Sequence, residues 1–137
     1  MYNVISINPQ EAWQMLQDNP KAMLIDVRSG MEFLFVGHPK GATNIAWIDD
    51  PDWDINPNFA AEIEKKLSKK DINAKDTPIL LICRSGVRSL EAGKVLITAG
   101  FSSVYNILDG FEGNLDEQHH RNSLGGWRFH NLPWEQC

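Results

Sequence analysis

The stretch Cys83-Arg84-Ser85-Gly86-Val87-Arg88-Ser89 gathers a thiol, two guanidinium groups and two hydroxyls around a single glycine. A thiol attacks only as its thiolate, and that form is favoured by adjacent cations and by the start of a helix. Gly86 gives the loop freedom to bend back on itself, because glycine takes positive φ without steric cost. A loop of this kind suits an anion: the thiolate itself, a persulfide, or a charged oxygen of a substrate.

The flanking residues show what must hold the loop. Ile79 to Ile82 is an unbroken apolar run, too short for a buried helix, and reads as a central parallel strand. From Ser89 the apolar spacing turns helical, through Ala92, Val95 or Leu96, and Ala99. The unit is therefore strand, tight turn, helix, and the amides of the turn converge with the positive end of the helix dipole on the loop. Ala22 to Val27 is a second buried strand, and Val104 to Leu108 another. Ligand sites in open α/β sheets lie beyond the carboxyl ends of strands, so Asp26-Val27-Arg28 and Cys83 belong to one crevice. Asp26 and Arg28 read as an ion pair or as loop-ordering groups rather than as reacting ones.

Four blocks in order carry a family resemblance. They are Leu24-Ile25-Asp26-Val27-Arg28 with Glu32-Phe33, Gly37-His38-Pro39-Lys40-Gly41-Ala42-Thr43-Asn44-Ile45, the Cys83 to Ser89 loop, and Tyr105-Asn106-Ile107-Leu108-Asp109-Gly110-Phe111 followed by Trp127. Together they resemble the rhodanese-like sulfurtransferases. The resemblance implies an α/β fold, a central mostly parallel sheet of about five strands with helices on both faces. It implies Cys83 as the catalytic nucleophile, with Arg84, Ser85, Gly86, Val87, Arg88 and Ser89 as the substrate-binding loop, and Asp26 and Arg28 near the site as structural residues.

The reaction expected is covalent sulfur transfer. The Cys83 thiolate takes sulfur from a small anionic donor such as thiosulfate and carries it as a persulfide to a thiol, a protein acceptor or cyanide. Sulfur rides on the protein, so no cofactor and no metal are called for. Arg84 and Arg88 attract the donor and ease departure of its anionic leaving group. Phosphatases and arsenate reductases of related fold place five residues between cysteine and arginine; here four, Arg84 to Val87, separate Cys83 from Arg88. The smaller ring suits one sulfur atom better than a tetrahedral oxyanion. A non-catalytic binding or regulatory module is the other alternative, but such modules often lack the cysteine.

The rest of the chain reads as scaffold. Asn8-Pro9-Gln10-Glu11 opens a helix with a capping box, and Ala12, Met15 and Leu16 give its apolar face. Glu32 to Val36 reads as a short helix before a turn in which His38 orders the backbone rather than acting as a base. The aspartates from Asp49 to Asp54 lack the glycine and terminal glutamate of a calcium loop. Phe59, Ile63 and Leu67 mark an amphipathic helix with Glu62 and Lys66 paired outside; its Lys65-Lys66 and Lys69-Lys70 cluster reads as a solvated face. Gly100 stands where the helix after the loop should end. His119, His120 and His130 have no cysteines at zinc-like spacing. The aromatics Trp127 and Trp134 suggest that the last residues fold back over the core or beside the site.

At 137 residues the chain reads as one domain, with a core over about 4–113 and a C-terminal tail over 114–137. Its 42% hydrophobic and 23% charged residues are those of a soluble globule. A net charge of −5 argues against nucleic acid as the partner. No apolar run reaches the ~20 residues of a membrane span, and no leader pattern is visible, so the expected compartment is the cytoplasm. With only two cysteines, Cys83 and Cys137, a disulfide framework is not indicated. Cys137 reads as an incidental terminal thiol, the sharper alternative being a second thiol that receives sulfur from Cys83.

Overall fold

The computed structural model describes residues 2–49, 51–68 and 74–137. Apolar runs with no polar alternation can be buried only in a sheet covered on both sides, and that is what forms. Five strands, β1 (Ile5–Ile7), β2 (Met23–Asp26), β4 (Thr43–Asn44), β5 (Ile79–Ile82) and β6 (Val104–Ile107), make a parallel sheet in the order β1-β6-β5-β2-β4. The strand that precedes Cys83 is its centre. All four residues of β5 are inaccessible to solvent.

Alternation along β5 divides the core. Ile79 and Leu81 face one layer, with Met23 and Ile25, where α2 (Phe59–Ser68) contributes Phe59, Ile63 and Leu67 and α3 (Val87–Thr98) contributes Ala92 and Leu96. Leu80 and Ile82 face the other, with Ala12 of α1 (Pro9–Asp18), Phe111 and Trp127. Helices thus cover both faces. The predicted choice in α3 resolves to Leu96, since Val95 is 39% exposed. The α1 capping box forms as the sequence predicts: Asn8 Oδ1 accepts from the Glu11 amide at 2.8 Å, and Glu11 Oε1 accepts from the Asn8 amide at 3.2 Å.

Several features differ from the simplest reading. Glu32–Val36 winds as a single π-helical turn. Glu62 is taken by Asn56, whose Nδ2 donates to it at 2.7 Å, rather than by Lys66. Lys69 and Lys70 of the lysine cluster, and Asp50 of the aspartate run, lie outside the described residues. The chain beyond 113 folds back: Trp127 is fully buried against α1, edge-on to Trp13 at 6.0 Å. Further on, β7 (Trp134–Glu135) pairs antiparallel with β3 (His38–Pro39). No described helix is long and apolar enough to cross a membrane.

Candidate active site

Cys83 follows the last residue of β5, and Gly86, at φ 103°, caps the start of α3. This conformation turns the Gly86 amide onto the sulfur: its N–H donates to Cys83 Sγ at 3.1 Å. Ser89 Oγ lies 3.2 Å from the same sulfur, one turn into α3. Cys83 is 1% exposed and packs with one apolar layer of the core, while its sulfur meets the Gly86 amide and the Ser89 hydroxyl.

A second turn fixes the first. The amide of Phe111 donates to the Cys83 carbonyl at 2.8 Å, and that of Glu112 to the Arg84 carbonyl at 3.0 Å. The contact is so close at Gly110 that a Cβ there would stand 2.3 Å from the Cys83 carbonyl oxygen. Only glycine fits that position.

Asp26 and Arg28, both fully buried, brace this turn from below. Arg28 donates from Nε to Asp26 Oδ1 at 2.9 Å and from Nη2 to Oδ2 at 2.6 Å, with a further bond to the Gly37 carbonyl. Its guanidinium lies 4.6 Å from the centre of the Phe111 ring. The Arg28 end of the pair thus stacks on Phe111, the residue whose amide holds the Cys83 carbonyl.

The two loop arginines have separate environments. Arg84 is exposed and makes no ion pair among the described residues. Arg88 is held by Glu32, from Nη1 to Oε1 at 2.8 Å and from Nη2 to Oε2 at 3.0 Å. Ser29 donates to the same carboxylate from its hydroxyl at 3.1 Å and its amide at 3.3 Å. Burial alone pushes the Glu32 carboxyl up, but the hydrogen bonds and charge of Arg88, with those of Ser29, outweigh it and hold the group at about 2. Arg88 is in turn pushed up, by its bonds to Glu32 against the cost of burial and with a contribution from the charge of Cys83.

Of the predicted loop, Cys83, Gly86 and Ser89 converge on the sulfur, Arg88 stands in an ion pair beside it, and Arg84 and Val87 face outward. Ser85 is half-buried. Glu32, as the partner of Arg88, was given no role by the sequence reading; its signal was a carboxylate in the otherwise apolar Met31 to Val36 segment. His38 stacks on Phe33 with centroids 3.7 Å apart and donates from Nδ1 to the Phe33 carbonyl at 2.7 Å, which orders the turn. Cys137 is exposed and unbridged, its backbone amide bonded to the Leu34 carbonyl at 3.1 Å. Among the described residues no group of three or more His, Cys, Asp or Glu is placed to hold a metal ion.

The family model described as "Rhodanese-like domain" matches residues 8–117. Among similar sequences, the thiosulfate sulfurtransferase GlpE of Haemophilus influenzae is 32% identical over 107 residues, 78% of this chain and 84% of the relative. An uncharacterized Rickettsia prowazekii protein, RP600, is 34% identical over 134 residues, 96% of this chain and 98% of the relative. The crystal structure of Rv0390 from M. tuberculosis superposes with a TM-score of 0.82 at 40% identity, covering 98% of this chain and 99% of that one.

Proposed function

Given that the chain belongs to the rhodanese-like domain family, we propose that it is a sulfurtransferase which carries sulfane sulfur as a persulfide on Cys83. The observation that carries this reading is the Gly86 amide on Cys83 Sγ at 3.1 Å, at the start of α3. An N–H aimed at the sulfur, with the helix dipole behind it, stabilises negative charge on Sγ, where the thiolate carries it before attack and after the sulfur has been handed on.

The electron bookkeeping closes with thiosulfate as donor. The thiolate attacks the outer sulfur of the donor, a new S–S bond forms, and the donor's S–S bond breaks with its electron pair leaving on sulfite. The terminal sulfur of the persulfide anion is then taken by cyanide or by a thiolate, and the Cys83 thiolate is regenerated. Arg84, exposed and without an ion pair among the described residues, draws the dianion in. Arg88, neutralised in part by Glu32, adds charge beside the sulfur while keeping the loop in shape. The small ring between Cys83 and Arg88 leaves a phosphatase or arsenate reductase as the less favoured reading. A cytoplasmic setting, where thiols stay reduced, suits the chemistry.

The test is intact mass after exposure to thiosulfate. A gain of about 32 Da, one sulfur atom, mapped to the Cys83 peptide and lost in Cys83→Ser, is expected. A chain that gains nothing, or a Cys83→Ser variant that still transfers sulfur to cyanide, overturns the reading.

A further inference from the structure

Asn106 is a buried polar side chain, 2% exposed, on a strand whose other fully buried residues are Val104 and Ile107. In the sheet register it stands opposite Leu81, so its position is fixed by the backbone of β5 and β6. Its carboxamide makes two bonds. Oδ1 accepts from Ser89 Oγ at 2.5 Å, and Nδ2 donates to the Gly86 carbonyl at 3.3 Å. The second bond fixes the orientation of the amide, because a carbonyl only accepts.

Among the described residues, Ser89 and Gly86 are the two whose polar groups touch the Cys83 sulfur, at 3.2 and 3.1 Å. One carboxamide on the neighbouring strand thus holds both. The arrangement has a chemical sense as well as a spatial one. A hydroxyl has a single proton, and Asn106 takes that of Ser89. The Ser89 oxygen then shows the sulfur a lone pair, which suits a thiol donating its S–H. A thiolate, or the inner sulfur of a persulfide, has no proton to give. It is served only if the hydroxyl turns toward it, and that turn leaves the buried Asn106 oxygen without a donor.

We propose that Asn106 is a positioning residue which, through the Ser89 hydroxyl, sets whether the Cys83 sulfur meets a lone pair or a proton. Asn106 restrains the anion, and Gly86 with the helix dipole favours it. The proposal rests on the reading of Cys83 as the sulfur carrier, but it is measured on the thiol without turnover. The charged groups facing this region are untouched by the variants below: Arg88 on α3, Glu32 on the π turn, and Asp26 on β2 with Arg28 beyond it; Arg84 on the loop is exposed.

The experiment is the rate of Cys83 alkylation by iodoacetamide against pH, in the Cys137→Ser background so that one thiol reports. Asn106→Leu frees the hydroxyl to serve the anion, so the midpoint of the profile is expected to move to lower pH and the rate below that midpoint to rise several-fold. Ser89→Ala removes the hydroxyl, and in that background Asn106→Leu is expected to leave the midpoint where Ser89→Ala puts it. An unmoved midpoint in Asn106→Leu, or the same shift with and without Ser89, overturns the proposal, since a merely structural role changes stability and rate without that dependence. If Asn106→Leu fails to fold, Asn106→Ala carries the same expectation. Absence of sulfur uptake from thiosulfate by the native chain would sink the sulfur-carrier reading and leave the alkylation result to stand or fall separately.

Discussion

Arg88 and Glu32, 56 positions apart, meet as two parallel hydrogen bonds of 2.8 and 3.0 Å beside the loop that holds Cys83. A planar guanidinium on a carboxylate fixes orientation as well as charge, and a lysine does not reproduce it. The bond therefore ties the π turn to the first turn of α3.

Its stability should follow pH in a defined window. The Glu32 carboxyl is depressed in the folded chain from an ordinary 4.5 to about 2. A depressed carboxylate adds stability that is complete above the unfolded value and fades as pH falls through the folded one. Glu32→Gln is expected to unfold at lower urea than the native chain above pH ~4.5, by about 1.5–3 kcal/mol for a charged hydrogen-bonded partner. The gap between the two proteins should narrow from pH ~4.5 toward pH ~2. Urea titrations across that range check it; a gap that stays constant counts against the pairing.

Arg84 is the loop cation without an ion pair among the described residues. Arg84→Ala is expected to raise the KM for thiosulfate about threefold to tenfold at low salt with kcat little changed, and the difference should shrink at high ionic strength. Steady-state kinetics at two salt concentrations decide. A fall in kcat alone would place Arg84 in the chemical step instead.

The close approach at Gly110 makes it sensitive to a single methyl group. Gly110→Ala places a Cβ 2.3 Å from the Cys83 carbonyl oxygen, so the backbone there must shift. A loss of at least about 2 kcal/mol of stability is expected, with slower alkylation of Cys83, because the turn that positions the loop moves. Denaturation and alkylation measured on one sample test both halves; an unchanged alkylation rate would show that the second turn does not set the loop.

Asp26 and Arg28 are a buried pair whose members depend on each other. Asp26→Asn should cost about 3–5 kcal/mol, since it leaves the Arg28 charge buried without its counter-ion. Asp26→Leu with Arg28→Met should recover most of that loss, because two apolar side chains leave no orphaned charge. Comparison of the single and double variants by urea unfolding measures the coupling; a double variant as unstable as the single one refutes it.

Much of the fold was legible because the period of the apolar residues decides it. Ile79–Ile82 could be nothing but a buried strand, and Phe59, Ile63 and Leu67 line one helical face that is buried. Thr43–Asn44 was not legible as a strand, because two residues have no period and their pairing depends on β2. The β3–β7 ribbon was hidden by Pro39 and by the distance in sequence between its two halves. At the site, the loop chemistry was readable from residue types. Glu32 and Asn106 were not, since each matters through a partner on another element that only the sheet order brings near.

The sheet order β1-β6-β5-β2-β4 has a kinetic corollary. The strand before Cys83 lies between a neighbour made much earlier in synthesis and one made later, and the turn that grips the cysteine carbonyl comes later still. In a nascent or partly unfolded chain, Cys83 thus lacks the Gly86 amide and Ser89 hydroxyl that meet its sulfur in the folded one. The arrangement around its sulfur is a property of the closed sheet, which ties completion of the site to the most non-local contacts of the fold.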